Sequence, residues 1–104
     1  MSRVVIAGVE LSLPVEVART WKGRPVQDGE IYIGRPSRWG NPYVIGKDGT
    51  REEVVGKYHQ WLQQQPELLA DLPSLTGKRL LCWCHPEVCH GHMIGLTMLQ
   101  RGVK

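Results

Sequence analysis

The sequence predicts a small α/β domain: a sheet of about three or more strands, a βαβ unit and two main helices. Three observations predict it. Short apolar runs recur near residues 4–7, 30–33 and 79–84, the first two carrying β-branched Val and Ile. One strongly patterned helix lies between the second and third runs. The 104 residues suffice for one modest core and one domain.

The elements follow in chain order. Residues 4–7, Val-Val-Ile-Ala, are uniformly apolar and predict a short strand buried on both faces. Residues 11–26 carry Pro14, Gly23 and Pro25 and predict an irregular extension, closed by the Asp28-Gly29 turn. Residues 30–33 predict a second strand, and residues 34–43 a Gly/Pro-rich loop. Thr50 followed by Glu53 is the sequence signature of a capping box. Val54, Val55, Tyr58, Trp61 and Leu62 then recur at helical spacing as one apolar stripe, which predicts a helix ending near Gln64, before Pro66. Pro66 opens a second short helix through Leu72. Residues 79–84 predict a third strand, with Trp83 on its far side packing under the second helix. The last helix runs from near His90 to about Gln100, stopped by Gly102, with Met93, Met98 and Leu99 in the core. Strand, helix, strand predicts a parallel pair between residues 31–33 and 80–84.

Composition narrows the function classes. The net charge is +3, and basic residues are spread evenly, seven in residues 1–50 and six in 51–104. No basic block of the kind that coats nucleic acid is present. No apolar run approaches the length of a membrane span, and the N-terminal apolar stretch is too short for a secretory signal. The expected compartment is the cytoplasm, where thiols stay reduced. No phosphate-binding loop of the Walker or dinucleotide type occurs. Nothing in the sequence sets the oligomeric state.

All three cysteines, Cys82, Cys84 and Cys89, and three of the four histidines fall within residues 82–92. Three readings stand open. Cys82, Cys84, Cys89 and His90 make a Cys3His set for a tetrahedral zinc ion, although the spacing departs from the usual pairs two to four residues apart. Cys89 at a helix N-terminus, with His90, His85 or His92 as the paired base, makes a nucleophilic thiol. Cys82 and Cys84 on a core strand make ordinary packing residues.

The second motif is the loop holding Arg35, Ser37, Arg38, Trp39 and Asn41. No acidic residue lies between Ile31 and Lys47. Two planar guanidinium forks suit phosphate or carboxylate. Ser37 and Asn41 add short polar contacts, and Trp39 offers a stacking face. The bland alternative pairs these arginines with Glu30 or Glu87. Arg51, Glu52 and Lys57 read as a solvated helix face. If the two strands are parallel, the arginine loop and the Cys/His segment leave the same sheet edge, where ligands of such sheets gather.

The motif string Tyr32-Ile33-Gly34-Arg35-Pro36-Ser37 with Trp39-Gly40-Asn41-Pro42, then residues 48–53, Gly77-Lys78 and Cys82-Trp83-Cys84 through Cys89-His90-Gly91, resembles the DUF4326 family of bacteria and their phages. The resemblance covers residues 31–100 and leaves residues 1–30 outside. It implies that Cys82, Cys84, Cys89 and His90 belong together with Arg35 and Asn41, and that His85 and His92 stand at variable positions. It implies no reaction. The leading expectation is a zinc-bearing Cys/His site beside an anion-binding arginine loop, acting on or binding a nucleotide or nucleic-acid phosphate. The alternatives are a zinc-stapled binding module for nucleic acid or protein, and a metal-free cysteine enzyme acting on a nucleoside or amide-type substrate.

Overall fold

The computed structural model describes residues 2–6, 8–83 and 89–103. Five strands and three helices follow in order: β1 (Ser2–Ile6), β2 (Val9–Leu13), β3 (Glu16–Arg19), β4 (Glu30–Tyr32), α1 (Arg51–Leu62), α2 (Pro66–Asp71), a 3-10 turn (Leu72–Leu75), β5 (Arg79–Cys82) and α3 (His90–Gln100). β1 and β2 form an antiparallel hairpin in which Ile6 pairs with Val9. β3, β5 and β4 form a parallel sheet in that spatial order, with β5 central. The predicted parallel pair is present, Ile31 opposite Leu80 and Tyr32 opposite Leu81. The Ile33 N–H extends the ladder by donating to the Leu81 carbonyl at 3.0 Å. The strand itself stops at Cys82, and Cys84 lies outside the described residues.

The first thirty residues are more regular than their Pro and Gly content predicts. Pro14 sits at the corner between β2 and β3, where its missing N–H breaks no ladder bond, and its carbonyl accepts from the Gly77 N–H at 2.9 Å. β1 is not buried on both faces: Val5 is 67% exposed while Val4 and Ile6 pack against the core. A two-stranded hairpin has one face to bury, so its apolar residues alternate in burial.

α3 lies against the sheet and α1 lies against α3. The close approach runs through two glycines one turn apart. A Cβ on Gly91 would stand 2.8 Å from Ile33 Cδ1, and one on Gly95 would stand 2.7 Å from Leu13 Cδ1. Larger residues there would push the helix off the sheet. α1 carries the capping box its sequence predicts. Its apolar stripe buries Val55, Tyr58 and Leu62 in the common core, with Trp61 packed at the edge. Met93 and Met98 are buried, whereas Leu99 is 41% exposed, because it falls on the outer side of α3's final turn. No helix among the described residues is long and apolar enough to cross a membrane.

Candidate functional site

The carboxyl ends of β4 and β5 open into a cavity of about 230 Å³. Arg35 and Asn41 come from the loop after β4, Arg51 from the first turn of α1, Trp83 from the end of β5, and Cys89 and His90 from the start of α3. The arginine loop and the Cys/His segment therefore share one crevice, as a parallel sheet requires of loops leaving the same edge.

Each wall has a local cause. The Asn41 side chain donates to the Val54 carbonyl at 3.1 Å and accepts from the Tyr43 N–H at 2.9 Å, which ties the loop to α1. Tyr32 folds its phenol over Gly34, where any Cβ would collide with the ring. The phenol donates to the Arg35 carbonyl at 2.9 Å and accepts from Trp83 Nε1 at 2.9 Å. Trp83 is accordingly held toward β4 and is 50% exposed, not packed under a helix. With its N–H taken, its indole offers the cavity only apolar surface.

His90 is buried, and its Nε2 lies 2.7 Å from the Ile33 carbonyl. A carbonyl only accepts, so Nε2 carries the proton and Nδ1 the lone pair. Burial first, and the Arg35 charge as well, lower the pKa of this imidazole, overcoming the opposing effect of the Ile33 bond. It is neutral at neutral pH. Its ring stands edge-on to Tyr58, centroids 5.1 Å apart. The Tyr58 hydroxyl donates to the Trp39 carbonyl at 2.8 Å in the buried layer behind the cavity.

Cys89 is the N-cap of α3, and its sulfur accepts from the His92 N–H while His92 Nδ1 accepts from the Cys89 N–H at 3.0 Å. This is a capping box built from Cys and His. The Cys82 and Cys89 sulfurs lie 3.0 Å apart, both buried. A helix N-terminus lowers a thiol pKa, and the Gly91 and His92 N–H groups act in that direction here. They are outweighed: contact with Cys82 first, and burial second, push the Cys89 thiol well up. Two touching sulfurs resist holding two negative charges, so the pair retains a proton.

The zinc expectation meets these distances directly. Two thiolates on one tetrahedral zinc, at about 2.3 Å each, stand about 3.8 Å apart. Cys82 and Cys89 are closer than that. His90 donates its Nε2–H to the Ile33 carbonyl, which leaves the Nδ1 lone pair as its ligating atom, and Cys84 lies outside the described residues. Among the described residues, no three Cys, His, Asp or Glu side chains are gathered to hold a metal ion.

Three residues of the predicted anion loop do not reach the cavity. Arg38 turns the other way, pairs with Asp71 at the end of α2 and lies over the Trp39 ring at 5.3 Å. Trp39 is a core residue, 4% exposed, and presents no stacking face. Ser37 Oγ is buried without a hydrogen-bond partner and lines no part of the cavity wall. Of the two acids predicted to quench the loop, Glu87 lies outside the described residues and Glu30 is occupied elsewhere, binding Arg24 through two contacts of 2.7 Å and reaching Arg79 at 3.3 Å. In place of Arg38 the cavity holds Arg51, which the helical pattern assigned to a solvated face. Its position at the first helical residue, beside the loop that Asn41 anchors, turns it inward. Arg51 Nη1 is buried with no hydrogen-bond partner. No Asp or Glu lines the cavity among the described residues.

Comparison with known proteins covers most of this architecture. A family profile described as a domain of unknown function, DUF4326, matches residues 16–100 and so takes in β3, starting fifteen residues before the region 31–100 that the resemblance covers. A protein of Acanthamoeba polyphaga mimivirus, described as uncharacterised, is 33% identical over 84 residues, 64% of this chain and 64% of its own length. An uncharacterised 12.4 kDa protein from the nrdA-td intergenic region of Enterobacteria phage T4 is 35% identical over 72 residues, 64% of this chain and 65% of its own length. The alignments thus span just under two thirds of each of these relatives. No solved structure matches the chain. With the profile covering everything from β3 through the end of α3, the chain belongs to the DUF4326 family.

Proposed function

We propose that the cavity binds a phosphate-bearing nucleotide, with the phosphate between Arg35 and Arg51 and the apolar part of the ligand against Tyr43 and Trp83. One observation carries this reading: Arg51 Nη1 is buried in the molecule with nothing to bond. A buried charged donor left unpaired costs about 1–3 kcal/mol or more. A ligand anion that enters the cavity relieves that cost. Arg35 adds a second positive charge at the same wall, and no carboxylate among the described lining residues competes. The α1 N-terminus itself is closed by the Thr50–Glu53 capping box, so the two guanidinium groups, and not the helix end, would meet the phosphate. Trp83, with its N–H already spent on Tyr32, is suited to stacking rather than to hydrogen bonding.

The test is isothermal titration calorimetry with nucleoside monophosphates, the matching nucleosides and inorganic phosphate. A charge-assisted hydrogen bond contributes about 1.5–3 kcal/mol, so Arg51→Met weakens nucleotide binding by roughly 10- to 150-fold. Arg35→Met weakens it in the same direction, and the nucleosides bind far less tightly than their monophosphates. Arg38→Met leaves affinity unchanged, since that side chain is committed to Asp71. Equal affinity of wild type and Arg51→Met, or no binding of any phosphate compound, removes the proposal.

A further inference from the structure

We propose that Cys82 and Cys89 form a dithiol–disulfide couple, oxidised in place by a small hydroperoxide that enters through the cavity. Cys82 ends the central strand and Cys89 caps the helix that follows in the chain, so the fold brings together two residues from different elements. Their sulfurs are 3.0 Å apart, about 1 Å beyond a disulfide bond of about 2.05 Å and well inside the edge of a zinc-thiolate tetrahedron. Closing that gap asks for a small shift of side chains. The two sulfurs differ in access. Cys89 lines the cavity, whereas Cys82 is fully buried behind it and lines no part of the wall. Cys89 is therefore the sulfur an incoming oxidant meets, and Cys82 is the one placed to resolve it. The cavity admits a molecule of peroxide size to that sulfur, while a tripeptide disulfide is too bulky to reach a thiol only 1% exposed.

Written for hydrogen peroxide (an alkyl hydroperoxide would release its alcohol in place of the first water), the chemistry balances in two steps. Contact with Cys82 and burial keep the Cys89 thiol protonated at rest, so attack on one peroxide oxygen comes from its small thiolate fraction; the O–O bond breaks, an S–O bond forms, and Cys89 becomes a sulfenic acid with release of water, the departing oxygen taking up the proton lost on ionisation. The Cys82 sulfur then attacks Cys89 Sγ; the S–S bond forms, the S–O bond breaks, and the hydroxyl leaves as a second water with the Cys82 proton. Two thiols lose two electrons and two protons, and one peroxide is reduced to two waters. His92 does not depend on the sulfur for its hold on the helix terminus, because its Nδ1 binds the Cys89 backbone N–H, which survives oxidation.

The experiment treats the purified full chain with one equivalent of hydrogen peroxide, then maps peptides by mass spectrometry under non-reducing conditions and counts metal by elemental analysis. The expected product is a Cys82–Cys89 linkage that dithiothreitol reverses, formed equally in Cys84→Ser. In Cys82→Ser the expected product is Cys89 carried to sulfenic or sulfinic acid, since the resolving sulfur is gone. The wild-type map alone decides the matter if that variant does not fold. A linkage through Cys84, no linkage at all, or one equivalent of bound zinc that blocks oxidation until it is chelated overturns the proposal. None of these outcomes depends on whether the cavity binds a nucleotide.

Discussion

At the residue scale the cavity depends on which charges are spent and which are not. Arg24 and Arg79 are spent on Glu30, and Arg38 on Asp71. Arg35 and Arg51 line the cavity with no ion pair among the described residues. Glu30 deserves its own test because its carboxylate is 6% exposed and held by Arg24. The Arg24 hydrogen bonds first, and the Gln27 N–H next, lower its pKa to about 2. A group depressed on folding lends stability above its unfolded pKa of about 4.3 and loses it as pH falls through the folded value. Thermal melts of wild type and Glu30→Gln should therefore differ most above pH 5 and converge as the pH falls through about 2, where Glu30 takes up its proton and becomes neutral like the glutamine. A gap that stays constant across that range would show that Arg24 does not hold the carboxylate in its charged form. Two of the five predicted loop residues, Arg35 and Asn41, line the cavity, because both leave the strand end directly. Arg51 was missed because helix periodicity says which face is apolar and not where a long side chain at the first turn will lie.

At the element scale, α3 is the part that decides whether a site exists. Its N-terminus supplies Cys89 and His90, and its seat on the sheet depends on Gly91 and Gly95. Gly95→Ala places a methyl 2.7 Å from Leu13 Cδ1 and 3.1 Å from Val15 Cγ2. Overpacking of this kind costs about 1–3 kcal/mol, offset in part by the better helix propensity of Ala, about 1 kcal/mol. The net expectation is a loss of up to about 2 kcal/mol in urea denaturation, with the m-value unchanged; a stabilised variant would mean that Leu13 can move aside freely. The limits of this helix were readable from His90 and Gly102. Its cap was not, because Cys-x-x-His is a capping box only once the sulfur and the imidazole are known to be buried together. The same holds for β2 and β3: Pro14 reads as a break, and only the corner between two sheets makes it compatible with strands on both sides.

At the scale of the whole molecule, the N-terminal hairpin lies outside the family match yet supplies a central part of the core. Leu13 is fully buried and touches α3 at Gly95. Leu13→Ala should cost about 2–5 kcal/mol by chemical denaturation, the range for a buried leucine truncated to alanine. A loss under about 0.5 kcal/mol, typical of surface positions, would mean that the hairpin is dispensable to the domain. The predicted crevice between the arginine loop and the Cys/His segment was legible because it follows from topology alone: parallel strands joined by a helix deliver their loops to one edge. Which arginine lies in that crevice is a matter of packing: Asp71 draws Arg38 away from it, and Tyr58 ties the Trp39 backbone into the buried layer behind it.

The order of residues by itself determined the α/β class, the parallel pair, the capped helix and the family, because hydrophobic period, turn chemistry and motif spacing are local quantities. Only the tertiary structure decided that Arg51 replaces Arg38 at the cavity, that Cys82 meets Cys89 at 3.0 Å and that His90 is buried against the Ile33 carbonyl. Those outcomes depend on which side chains reach the same volume across separate elements, and no spacing along the chain encodes a distance through space.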